Sequence, residues 1–405
     1  MTLDKRASIK QELENARAET DRLFSLIKSG SLYERPIPQR HRMVFYLGHL
    51  EAFDWNQLAQ ELELKAFNPE FDKLFAFGID PPVGQPRTDQ AKDWPRAGEI
   101  IKYNQTVREK LDNLLHEAPE QKLHLALEHR LMHAETFVYM LHNLALESRI
   151  THASPPSEAH RLTPSQKMIP IPAGQVTLGR SHGAEFGWDN EFGRHVVDVA
   201  DFVISKYKVT NGEYRNFVEA GATPPHFWRV GKAGFQLQTM SGEIPLPLDW
   251  PVYVTHEEAT AYLKWIGKTL PTEAQFHRAA YGTIEGVERK YPWGNEPPEE
   301  TRGNFDFHAW DPIPVTATPQ GDSAFGVSQM IGNGWEWTST PFHPFPDFKP
   351  FAFYPGYSAP FFDNEHYVLK GASPRTAARF LRPSFRNWFR PNYPYVFASF
   401  RYVEN

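Results

Sequence analysis

His129 and His133 stand four residues apart in a stretch, residues 123–146, whose apolar side chains recur at helical spacing. That spacing puts both imidazoles on one helix face, about one turn apart, close enough to ligate a single metal ion. His49, on an earlier apolar stretch, offers a third imidazole. Three neutral imidazoles on one ion leave further coordination positions open, where small substrates could be brought together. The same set also suits zinc, so the residue types leave the metal open. The competing reading is plain: a histidine on a core-facing stripe is more often a packed, hydrogen-bonded residue than a ligand.

The helical period also sorts the neighbours. Met132 follows His129 by three residues and shares the metal-facing side, where a methionine cannot donate a hydrogen bond. Glu135 is two residues past His133, about 200° around the helix, which suits a supporting or ion-pairing role better than ligation. His124 and His142 are on the same stretch at offsets that turn them off this face.

Four segments with helical periodicity must position these groups: residues 9–27, 42–62, 96–115 and 123–150. They predict an antiparallel bundle of four or more helices. Between the second and third, residues 67–95 hold Pro81, Pro82, Pro86 and Pro95 and read as a long irregular connection. The expected division is a metal-carrying bundle over residues 1–151, a proline-rich linker over 152–167 and a second domain over 168–405. Beyond the linker, glycine, proline and aromatics dominate. Residues 196–204 and 396–401 read as strands, and 257–266 and 273–280 as the clear helices. The predicted class is α+β and multidomain.

Composition narrows the chemistry. The 405 residues exceed what one hydrophobic core usually serves. A net charge of −6 with no long basic run argues against nucleic-acid binding. There is no apolar run of membrane-spanning length and no signal-peptide core near the start, so a soluble, cytoplasmic protein with small-molecule substrates is expected. The cysteine count is 0, which removes disulfides, thiolate ligands and a cysteine nucleophile together. Oligomeric state is not legible.

Several blocks carry a resemblance. Ile169-Pro-Ile-Pro-Ala-Gly, Lys208-Val-Thr-Asn-Gly-Glu-Tyr, Leu270-Pro-Thr-Glu-Ala-Gln-Phe, Tyr291-Pro-Trp-Gly-Asn, Gly332-Asn-Gly-Trp-Glu-Trp-Thr and Ala398-Ser-Phe-Arg follow one another through the second domain. In that order they resemble the formylglycine-generating-enzyme (sulfatase-modifying factor) domain, an irregular, C-type-lectin-like α+β fold. The first part resembles a DinB-like four-helix bundle, whose His-x3-His-x-Glu motif is met by His129, His133 and Glu135, with His49 at the place of the first ligand. The fusion is similar to the nonheme iron sulfoxide synthases of ergothioneine biosynthesis (the EgtB type) and to their selenoneine-forming relatives.

The resemblance implies Fe(2+) on His49, His129 and His133, and a reaction that joins a thiol sulfur to C2 of hercynine with dioxygen, leaving a sulfoxide. The block Ser384-Phe-Arg-Asn-Trp-Phe matches the family's hercynine-binding segment. It implies an amide from Asn387 for the betaine carboxylate and a Trp388 face for the trimethylammonium. At Met132 the family often has a glutamine that can bond the substrate imidazole. Some synthases that take γ-glutamylcysteine carry aspartate at the position of Phe389, so phenylalanine favours free cysteine, with a selenosugar donor as the alternative. Arg386, with Arg382 and Arg390 nearby, could hold a second carboxylate. Tyrosine is the family's usual weak acid near the iron; Tyr103 is the choice here, with Tyr357 and Tyr393 as competitors. Formylglycine generation itself is excluded, because it would need paired cysteine thiolates on copper. A DinB-type thiol transferase and a lectin-like binding module with a structural metal are the remaining readings.

Overall fold

The computed structural model describes residues 3–78, 87–150, 162–183, 185–232 and 234–404. The chain divides into two compact units, Met1–Ala153 and Ser154–Asn405. Most of the expected linker, residues 152–161, is outside the described residues, as are Pro81, Pro82 and Pro86. No helix among the described residues is long and apolar enough to cross a membrane.

The first unit is helical: α1 Leu3–Ser25, α2 Met43–Leu58, α3 Pro69–Phe77, α4 Ala97–Leu111 and α5 Glu120–Asn143. α2 packs against α3, α4 and α5, and α1 runs along α5. Leu13, Leu23, Val44, Leu58, Ile100, Val107, Leu125 and Met140 are buried between them. The expected irregular connection is corrected here, because α3 occupies part of it. Asn68 caps α3 by accepting the Phe71 N–H at 3.1 Å, Pro69 opens it, and Glu70 and Asp72 face the positive end of its dipole. Gly78, with φ of +71°, ends it by giving its N–H to the Leu74 carbonyl at 2.7 Å.

A buried ion network holds the bundle on the side of α2 that carries Glu51 and Asp54. Arg130 of α5 reaches Asp54 at 2.7 Å and Glu51 at 3.0 Å, and Arg108 of α4 reaches Glu51 at 2.6 Å. Arg17 of α1 approaches Asp54 at 3.5 Å. These cations hold the Glu51 carboxyl down at about 2 against the opposing effect of burial.

The second unit is built of small sheets: β1 Met168–Ile171, β2 Gly174–Leu178, β3 His195–Val199, β4 Phe202–Ser205, β5 Trp228–Gly231, β6 Gly234–Gln238, β7 Glu243–Pro245, β8 Gly334–Pro341, β9 Tyr367–Ala372, β10 Asn387–Phe389, β11 Ala398–Ser399 and β12 Val403–Glu404. They pair in the orders β1-β4-β12, β10-β9-β8-β11, β2-β3 and β5-β6-β7. The run 196–204, expected as one strand, breaks at Ala200 and Asp201 into β3 and β4, which join different sheets. Among the described residues, three α-helices accompany the sheets, α6 Asn211–Glu219, α7 His256–Ile266 and α8 Glu273–Tyr281, so α6 adds to the two expected. Each opens on a capping box: Thr210 with Glu213, Thr255 with Glu258, and Thr272 with Gln275.

At the centre of this unit, Lys208 and Arg401 both bind Glu336 of β8 at 2.5 Å, all three fully buried. Arg401 also donates to the carbonyls of Ser205, Lys206 and Ser328. Satisfied in this way, the charges tie three distant chain segments together.

Candidate functional site

α2 and α5 bring His49, His129 and His133 together, each offering a ring nitrogen within 4.8 Å of the others. His49 Nε2 stands 3.2 Å from His133 Nε2, and the His129 and His133 ring centres are 4.4 Å apart, as one helical turn dictates. His49 and His129 are buried, while His133 is half-buried and marks the accessible side. Phe53 lies parallel to His129 at 3.4 Å, and Phe45 stacks on His49 at 4.6 Å. Burial in these apolar walls pushes His49 down to about 4 and holds His129 and His133 well below the usual imidazole range, an effect the neighbouring imidazoles and Arg130 reinforce. Neutral imidazoles present lone pairs, which is what ligation requires.

The tautomer of His49 is fixed by geometry. Its Nδ1 is 2.6 Å from the Phe75 carbonyl oxygen, which can only accept, so Nδ1 carries the proton and Nε2 keeps the lone pair. The donor set, its neutrality and this orientation all fit a divalent metal. The Phe75 carbonyl has no signal in the sequence, since every residue carries a carbonyl.

The other candidates fall in different settings. Met132 and Glu135 are half-buried on α5. Tyr103, on α4, is 3% exposed and donates its hydroxyl to Asp72 Oδ1 at 2.7 Å. Burial and this carboxylate push the phenol above its usual range, making it a weaker acid.

In the second unit, β10 pairs with β9 and displays Asn387, Trp388 and Phe389, all half-buried. Trp388 stacks on Phe342 at 4.3 Å and 6°, with Tyr357 edge-on at 5.4 Å and Phe361 at 5.6 Å. Asn387 Oδ1 accepts the Trp388 N–H at 2.9 Å, which leaves its amide nitrogen as a donor. Phe389 stacks on Tyr393 at 5.3 Å.

The expected carboxylate-binding role of Arg386 is corrected by its surroundings. It is 2% exposed, it lies 3.1 Å from Glu273, it donates to the His343 carbonyl at 2.9 Å, and its guanidinium lies over Phe345 at 4.0 Å. Arg382 is paired with Glu191, and Arg390 with Asp363 and Glu365. Glu191, missed in the sequence, is fully buried and also accepts from Ser384 at 2.6 Å, anchoring the segment that leads into β10.

A helical unit carries a three-imidazole centre able to hold a metal ion, and a unit of small sheets follows it in the same chain, so the protein is of composite build. Residues 153–405 match the model of the sulfatase-modifying factor enzyme 1-like domain. The chain is 32% identical to hercynine oxygenase of Mycolicibacterium smegmatis, over 98% of this chain and 98% of that protein. It is 28% identical to ergothioneine biosynthesis protein 1 of Neurospora crassa, over 94% of this chain and 56% of that protein. Among solved structures it is similar to PvdO from Pseudomonas aeruginosa, with a TM-score of 0.44 and 22% identity over 58% of this chain and 93% of that one. The chain belongs to the hercynine oxygenase family, and its second unit matches the sulfatase-modifying factor enzyme 1-like domain.

Proposed function

We propose that this enzyme joins the sulfur of a thiol to C2 of the hercynine imidazole in an iron(II)- and dioxygen-dependent reaction of ergothioneine biosynthesis. One C–H and one S–H bond break and a C–S bond forms. One oxygen atom ends on sulfur as the sulfoxide and the other leaves as water. The observation that carries this reading is the convergence of His49, His129 and His133, two buried and one half-buried, as imidazoles held neutral, in a chain that aligns over 98% of its length with a hercynine oxygenase.

When bound, a ferrous ion supplies the redox centre for dioxygen and open positions for the substrates. The protein's own groups do the rest. Phe45 and Phe53 wall the imidazoles from water and keep them unprotonated. Trp388, backed by Phe342, offers an aromatic face to the trimethylammonium group, and the amide nitrogen of Asn387 a donor to the betaine carboxylate. Phe389 brings no carboxylate to pair with the ammonium of a γ-glutamyl group, which favours free cysteine. Met132, whose thioether cannot donate, brings no hydrogen bond to the substrate imidazole.

The test is an aerobic assay of ferrous-reconstituted protein with hercynine and, in parallel, cysteine, γ-glutamylcysteine and a selenosugar, read by mass spectrometry. A hercynine–cysteine sulfoxide formed only with oxygen supports the proposal. A selenium adduct as the main product would replace the donor, and no product from iron-loaded enzyme would sink the synthase reading.

A further inference from the structure

The Phe75 carbonyl that fixes His49 belongs to α3, a helix of nine residues with little core of its own. Its placement depends on three contacts with its neighbours. Gly48, beside the ligand on α2, lets the Phe75 ring approach so closely that a Cβ there would come within 2.5 Å of it. Asn56, also on α2, donates to the Asp72 carbonyl at 3.0 Å. From the other side, α4 sends Tyr103 to the Asp72 carboxylate at 2.7 Å, and the Tyr103 ring packs on Phe71 at 5.5 Å and Phe75 at 6.3 Å. α4 is itself tied to α2, because Asn104 donates to the Leu47 carbonyl at 2.8 Å.

We propose that α3 is the element that sets the orientation and tautomer of His49, and that Tyr103, acting through Asp72, is the positioning residue that keeps the Phe75 carbonyl on His49 Nδ1. The chain of contacts is short: Tyr103 to Asp72, three residues along α3 to Phe75, then to the ligand. Gly48 is its steric counterpart, since a side chain there would push Phe75 and its carbonyl away from α2. A histidine whose Nδ1 loses that acceptor is free to place its proton on Nε2, which removes the lone pair aimed at His133 and at any shared metal. Tyr103 then serves the site by orienting a ligand, without giving up its proton.

This inference rests on the three-histidine reading, and two readouts separate the two. The first is the long-range proton–nitrogen spectrum of His49 in metal-free protein labelled at histidine, which reports the tautomer directly. The second is affinity for cobalt(II), read from its ligand-field absorption. Wild-type protein should show a single Nδ1–H form and bind one equivalent of cobalt. Tyr103→Phe, which keeps the ring and loses the hydroxyl, should show mixed tautomers and about tenfold weaker cobalt binding, with thermal unfolding showing a folded chain. Gly48→Ala should do the same more severely. Asp72→Ala should match Tyr103→Phe, and Asp72→Asn, which still accepts the phenol hydrogen, should recover both readouts.

An unchanged tautomer and unchanged cobalt affinity in Tyr103→Phe would overturn the positioning role, and lost turnover in that variant would point to Tyr103 as a proton donor. Failure of the wild-type protein to bind cobalt would overturn the metal reading, while the nitrogen spectrum would still decide what holds His49.

Discussion

A backbone carbonyl orients His49, and phenyl faces cover His49 and His129 and favour their neutral forms, so the residues that matter most to this centre are not all ligands. The ligands themselves carry the first prediction. His129→Ala should reduce bound metal after reconstitution and dialysis by at least tenfold, as measured by elemental analysis, because the remaining pair cannot hold the ion in place. A second concerns the donor. Phe389→Asp places a carboxylate on β10 in a half-buried setting and should raise the ratio of kcat/KM for γ-glutamylcysteine over cysteine about tenfold; an unchanged ratio would show that Phe389 does not face the donor. At this scale the sequence was readable where residue type and spacing did the work, as with His129 and His133. It was unreadable where a partner is a carbonyl, as at Phe75, or where a charge turns inward, as with Arg386 on Glu273.

Among the elements, α2 is the most constrained, since it presents His49 to the metal side while Glu51 and Asp54 collect arginines from three other helices. Replacing Arg130 by methionine leaves both acids short of a buried partner and should cost about 3–5 kcal/mol in urea denaturation. α7 carries a pH-dependent contribution. His256 stacks on Tyr367 of β9 at 3.9 Å, and burial lowers it to about 4, although a bond with the Thr338 backbone opposes the shift. The unfolded chain takes up this proton near 6.5 and the folded one only near 4. The contribution is therefore complete above about pH 6.5 and is lost as the pH falls toward 4, by about 3 kcal/mol in all. His256→Phe should flatten the fall in denaturation midpoint across that window. α3 shows why one element was misread. Its Asn-Pro start and Gly end are clear boundary signals, but nine residues give too short a stripe to stand out among the flanking prolines. The break between β3 and β4 was hidden for a related reason, since two residues suffice to turn the chain.

For the whole molecule, two compact units with separate cores predict two calorimetric transitions. Metal at about a hundred times its dissociation constant should stabilise the first unit alone by about 2.7 kcal/mol, and His129→Ala should abolish that shift. The order of the blocks in the second unit made its fold legible from sequence, because each marks a fixed station such as Lys208, Glu336 or Arg401. Those three stations impose a schedule on synthesis. Lys208 waits for Glu336, 128 residues later, and Glu336 for Arg401 after a further 65. Until residue 401 has been made, the centre of this unit holds an incomplete set of charges that resists drying. The nascent unit therefore stays open through nearly all of its translation and closes late, through contacts of long sequence separation that slow folding.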